Sequence, residues 1–182
     1  MLTELRLIPN SQTYFSLHLA EAPGNFIAAT KHKYISLNPS GVHHWLGNSL
    51  NPKTVKHALP DMYGYIKNNP SRWLFGLDNT GNILNIDNLL DIRKKKQEYM
   101  KQNKLHKLDL ITGDLGIDAQ DDVATDKSKQ YKFVEYLQRL DLAQVLGIIL
   151  IADEGTNCVI KHFLSFNEDL PITDDSTGYF VS

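Results

Sequence analysis

Cysteine is nearly absent from this chain. Cys158 stands alone among 182 residues, which excludes a disulfide scaffold and a multi-cysteine zinc cage and fits a reducing compartment. Long apolar runs are missing too. The most apolar stretch, residues 146–152, is far shorter than the ~20 residues of a membrane span. The opening Met1-Leu2-Thr3-Glu4 lacks the basic-then-apolar pattern of a signal peptide. Nor is there an excess of one charge. Nineteen Lys and Arg against twenty-one Asp and Glu give a net charge of −2, so any nucleic-acid partner must be held by a local patch. There is no repeat, no low-complexity segment, no G-x-G-x-x-G fingerprint and no P-loop. Seven histidines are present without H-E-x-x-H or Cys/His spacing. They read as surface or core-satisfied side chains, and no metal is expected. A composition 42% hydrophobic and 22% charged is that of a globular chain and not of a disordered one. A single cytoplasmic domain with no membrane partner is expected.

Short apolar runs alternate with longer helical stretches, which predicts an α/β fold with a mostly parallel sheet flanked by helices. Strands are expected at residues 15–20, 34–37, 73–77, 108–112 and 157–164. Helices are expected at 26–32, 86–104 and 130–152, with another between 54 and 68. The long helix carries Phe133, Leu137, Leu140, Ala143, Leu146 and Leu150 at spacings of three and four, as one buried face requires. The basic run Arg93-Lys94-Lys95-Lys96 reads as a solvated helix face, with a phosphate-contacting role as the minority alternative. No closing strand is expected after residue 164.

Open sheets of this kind bind ligands beyond the carboxyl ends of their strands. Three such ends carry chemistry. Ala20-Glu21-Ala22-Pro23-Gly24-Asn25-Phe26 runs from a strand through small residues into a helix, where backbone N–H groups approach a ligand. An ordinary strand–helix turn has the same pattern. Thr112-Gly113-Asp114-Leu115-Gly116 delivers a carboxylate at a strand tip, which a simple capping Asp also does. Lys161, within Val159-Ile160-Lys161-His162-Phe163, is costly in an apolar strand unless it is paired or snorkels. Asp114 is its natural partner.

Taken together, these segments resemble the FtsJ-like (RrmJ-like) S-adenosylmethionine-dependent ribose 2′-O-methyltransferases. Leu19 through Phe26 is similar to the family's Ala-Pro-Gly-Gly/Asn-Phe cofactor motif, and Leu110 through Gly116 to the motif with its catalytic aspartate. Val159-Ile160-Lys161-His162-Phe163 is similar to Val-x-Lys-x-Phe, which holds its catalytic lysine. Trp45 through Pro52, followed by Asp78-Asn79-Thr80-Gly81-Asn82-Ile83, resembles the branch of cap-methylating enzymes and large DNA viruses. The resemblance implies a Rossmann-like methyltransferase fold and S-adenosylmethionine as cofactor. It implies an RNA partner, capped mRNA or rRNA, and methyl transfer to a ribose 2′-hydroxyl. It also implies Asp114 and Lys161 as catalytic residues, with Glu21, Ala22, Pro23, Gly24, Asn25, Phe26, Asn82 and Asp114 around the cofactor.

The family's tetrad is lysine, aspartate, lysine and glutamate. Residues 1–14 contain no lysine to match the first, and Glu168, Asp169, Asp174 and Asp175 do not match the last. The chain therefore reads as an incomplete domain over residues 1–182, short of the family's first helix and last strands. The alternative is a non-catalytic methyltransferase-fold scaffold or interaction subunit. A nucleotide-binding oxidoreductase is disfavoured by the missing glycine fingerprint.

Overall fold

A computed structural model describes residues 7–116, 127–162 and 179–181. Its elements run β1 (Thr13–Leu19), α1 (Asn25–Leu37), β2 (Val42–Gly47), α2 (Tyr65–Asn68), α3 (Ile86–Asn103), β3 (Leu110–Gly113), α4 (Lys127–Ile151), β4 (Asn157–Lys161) and β5 (Tyr179–Val181). One sheet has the order β2-β1-β3-β4-β5. The first four strands are parallel, and β5 pairs antiparallel with β4.

Strand alternation sets the layers. Phe15, Leu17 and Leu19 of β1 face one side and join Leu89 and Ile92 of α3 and Leu140, Ile148 and Ile151 of α4 in the larger core. Tyr14, Ser16 and His18 face the other side, under α1, where the Tyr14 and Tyr34 rings stack at 5.3 Å. β3 is buried along its whole length, as a central parallel strand must be. Helices therefore cover both faces, as in a Rossmann-like α/β fold. From β1 the chain winds outward to β2, then crosses to the other side of β1 to form β3. The sheet's switch point thus lies between the ends of β1 and β3, where an open α/β sheet places its ligand.

Several local expectations are corrected. Residues 34–37 are the last turn of α1, because Ile27, Thr30 and Tyr34 continue one buried helical face. The second strand is instead Val42–Gly47, whose two histidines disguise a β-prone segment. Residues 73–77 form no strand; only Trp73 bridges Gly47. Between 54 and 68 the helix is confined to Tyr65–Asn68. Beyond residue 164 there is a further strand, β5, too short for a period-two pattern to register. Residues 163 and 164, and the four acidic candidates 168, 169, 174 and 175, lie outside the described residues. Lys96 is not on a solvated face. It is buried, with Nζ 2.6 Å from Asp153 Oδ1 and 2.8 Å from the Ile151 carbonyl.

Candidate active site at the switch point

The loop from β1 to α1 is fixed from several directions. Ala20 takes a left-handed φ of 53°. The Glu21 N–H donates to the Asn48 carbonyl at 2.9 Å and the Asn48 N–H to the His18 carbonyl at 2.7 Å, so the chain stays paired past the tips of β1 and β2. α1 begins after Gly24 (φ 115°), an N-cap with no side chain to satisfy the first helical N–H groups. Glu21 does so from upstream, its Oε1 accepting the Ile27 N–H at 3.0 Å. Any Cβ at Gly24 would press on the Tyr65 ring at 2.8 Å. Glu21 is fully buried, and its Oε2 has no hydrogen-bond partner among the described residues. Burial pushes the carboxyl up to about 8; the Ile27 N–H opposes the rise and the nearby Asp114 charge adds to it.

Asp114 follows β3, its N–H donating to the Leu19 carbonyl at 3.0 Å. Lys161 closes β4. Parallel register sets Gly113 against Ile160, so the next residue on each strand emerges side by side, and Lys161 Nζ lies 2.9 Å from Asp114 Oδ1. The pair is partly exposed, at 32% and 15% for the two side chains.

Both side chains line a cavity of about 360 Å³. Ala20, Ala22, Pro23 and Asn25 of the first loop form one wall. Asn48, Ser49 and Leu50, beyond β2, form the next, together with Gly81, Asn82 and Ile83. Asn48 joins these two segments, donating to the carbonyls of Leu74 and Gly81 at 2.9 and 3.2 Å. Leu115 and Gly116, and Tyr136 and Leu140 of α4, close the far side. Asn82 sits in a tight turn, its Oδ1 accepting the Leu84 N–H at 3.0 Å.

Of the residues singled out from sequence, Ala22, Pro23, Asn25, Asn82, Asp114 and Lys161 meet at this cavity. Three stand behind it. Glu21 is sealed beneath the loop, Gly24 lies under Tyr65, and Phe26 packs toward the smaller core beside Tyr14 and Tyr34. Sequence reasoning gave no site role to Tyr136 and Leu140, which belong to no motif and reach the cavity through the packing of α4. The cavity combines amide and carboxylate groups with the apolar Leu50, Ile83 and Leu115. It falls within the size range of small-molecule sites. Among the described residues, no group of three or more His, Cys, Asp or Glu could hold a metal ion, and no helix is long and apolar enough to cross a membrane.

The doubly covered parallel sheet, with its ligand crevice at the switch point, defines the class as a Rossmann-like methyltransferase fold. No family model matches the chain. Curated relatives are found across most of it. An uncharacterised protein, L511, of Acanthamoeba polyphaga mimivirus is 30% identical over 169 residues, 92% of this chain and 20% of the relative. The cap-specific mRNA (nucleoside-2′-O-)-methyltransferase 2 of Drosophila melanogaster is 33% identical over 161 residues, 83% of this chain and 21% of the relative. Its Danio rerio counterpart is 29% identical over 168 residues, 83% and 19%. The chain spans about a fifth of the length of these relatives. Over that shared stretch it is similar both to these cap-specific mRNA methyltransferases and to the mimivirus protein.

Proposed function

We propose that this chain carries an S-adenosylmethionine-dependent ribose 2′-O-methyltransferase site acting on capped mRNA. The observation that carries the reading is the Lys161–Asp114 pair at 2.9 Å, set in the wall of the switch-point cavity. The names of the relatives support it. The residues present fit the cofactor: Ala20, Ala22 and Pro23 are small and allow close approach, Asn25 and Asn82 bring side-chain amides to the cavity, and Leu50 and Ile83 offer apolar surface for a base.

When bound, S-adenosylmethionine supplies an electrophilic methyl group. A sugar hydroxyl is a weak nucleophile, and the work of this chain is to hold and polarise it. Lys161 is placed to donate a hydrogen bond to the hydroxyl oxygen, which stabilises the negative charge that grows there as the hydroxyl proton passes to solvent and aims a lone pair into the cavity. Asp114 positions the ammonium by accepting one of its N–H groups. Much of the acceleration comes from holding the two reactants aligned.

Calorimetric titration with S-adenosylmethionine and methyl transfer to capped RNA test the reading. Lys161→Met should lower kcat by about 10²–10⁴-fold, the range for losing one positioned acid–base group, with cofactor affinity nearly unchanged. Absence of any heat or thermal shift at millimolar cofactor would defeat the proposal. Cofactor binding without methylation of any RNA would favour the scaffold alternative.

A further inference from the structure

Gln144 of α4 is fully buried, yet its side-chain amide is used at both ends. Oε1 accepts the Leu115 N–H at 3.0 Å, and Nε2 donates to the Lys161 carbonyl at 3.2 Å. The first group is the peptide N–H immediately after Asp114. The second is the carbonyl of Lys161 itself. The β3–β4 register pairs Gly113 with Ile160, and the two site residues are the next residue on each chain. Gln144 therefore bridges the two strands just where the ladder between them gives out.

The chemistry of the bridge admits few side chains. It needs one donor and one acceptor, uncharged, at the end of a two-carbon stem, which among side chains is glutamine. A carboxylate would face the Lys161 carbonyl with no proton to give, and a methionine would leave two backbone groups buried and unpaired. Room for the bridge comes from Gly113, where a Cβ would run into the Gln144 side chain. One turn earlier on the same face of α4, Asp141 Oδ2 meets His162 Nδ1 at 3.0 Å, a second tie to the end of β4.

We propose that Gln144 is a positioning residue that sets the spacing between Asp114 and Lys161 and thereby the placement of the Lys161 ammonium in the cavity. This rests on the catalytic reading of that pair, so the test includes a readout independent of turnover. Lysine side chains labelled with ¹³C at Cε are followed by NMR in the whole chain. Lys161 is assigned through Lys161→Arg, and Lys96, paired elsewhere, serves as an internal control. In the wild type, Asp114→Asn should shift the Lys161 signal. In Gln144→Met the Lys161 signal should already be displaced, and adding Asp114→Asn should move it little further, while Lys96 stays in place. Turnover should show kcat lowered on the order of 10²-fold, as for an ångström-scale misplacement, with KM for the cofactor within about two-fold. A folded Gln144→Met with wild-type Lys161 signal and kcat overturns the proposal. Should that variant fail to fold, Gln144→Glu keeps the acceptor for Leu115 N–H and loses the donor to Lys161. A wild-type Lys161 signal in Gln144→Glu overturns the proposal equally. If the wild type transfers no methyl group but the lysine signal responds as described, the positioning role stands and the proposed function falls.

Discussion

Glu21 shows how one residue can serve structure at the edge of a site. The cofactor-like motif makes it look like a ligand contact, but its Oε1 is spent on the Ile27 N–H, replacing the cap that Gly24 cannot provide. Its raised pKa has a stability consequence. The folded state holds a proton up to about 8, whereas an unfolded Glu releases it near its ordinary 4.5. The folded state therefore binds more protons across that window, and stability falls as pH rises through it. Glu21→Gln keeps the acceptor and removes the ionisation. The variant's Tm should match the wild type at pH 4.5 and exceed it increasingly toward pH 8.5, by a difference worth on the order of a few kcal/mol. Thermal melts across that range check this, and parallel curves for the two proteins would refute it.

At the scale of elements, the helices with a long repeat are the ones the sequence places correctly. α3 and α4 carry apolar residues at helical spacing over many turns, although Leu146, expected on the buried face of α4, is 44% exposed and Ile148 and Ile151 are buried instead. Asn85 caps α3 by accepting the Asp87 N–H at 3.0 Å. Shorter segments mislead, because a run such as Tyr34-Ile35-Ser36-Leu37 suits a strand or a helix turn equally. Lys96 is a different kind of miss. Nothing in Arg93-Lys94-Lys95-Lys96 marks the fourth residue as buried. Its position shows only when Leu89, Ile92 and Lys96 are laid on the face packed against α4. There it joins the last carbonyl of α4 to Asp153, whose other oxygen accepts the Leu108 N–H at 2.9 Å ahead of β3. Lys96→Met should cost about 3 kcal/mol, the low end for breaking a buried ion pair, because the Asp153 side chain is 33% exposed. Urea unfolding measures it, and a loss under ~1 kcal/mol would mean the pair is no more than a surface salt bridge.

For the molecule as a whole, the sheet contains a polar seam. Thr112 Oγ1, His18, Ser16 Oγ and His43 Nε2 follow one another at 2.8 Å steps beneath α1. Burial pulls His18 and His43 down from 6.5 to about 3; His43 adds to the effect at His18, and Arg72, Lys31 and His44 add to it at His43. The folded state thus binds fewer protons than the unfolded chain below 6.5, so this stability is complete above 6.5 and is lost as pH falls toward 3. Glu21 acts oppositely between 4.5 and 8, with one proton against two, so these groups together place the stability optimum near pH 6.5. Urea midpoints from pH 4 to 8 should peak there, and two histidine ring signals should not titrate above about pH 5. A midpoint that is flat from pH 4 to 8 would contradict the seam's role. The sequence by itself determined the class of fold and the order of its strand-end loops, and it singled out Asp114 and Lys161 as candidates, because each rests on a local pattern: strand, turn, then a polar residue at the tip. Only the tertiary structure decided that Glu21 caps a helix, that Lys96 is buried, and that Gln144 bridges the two site strands. Those roles depend on which residues of distant segments face each other, and strand register and helix packing set that pairing.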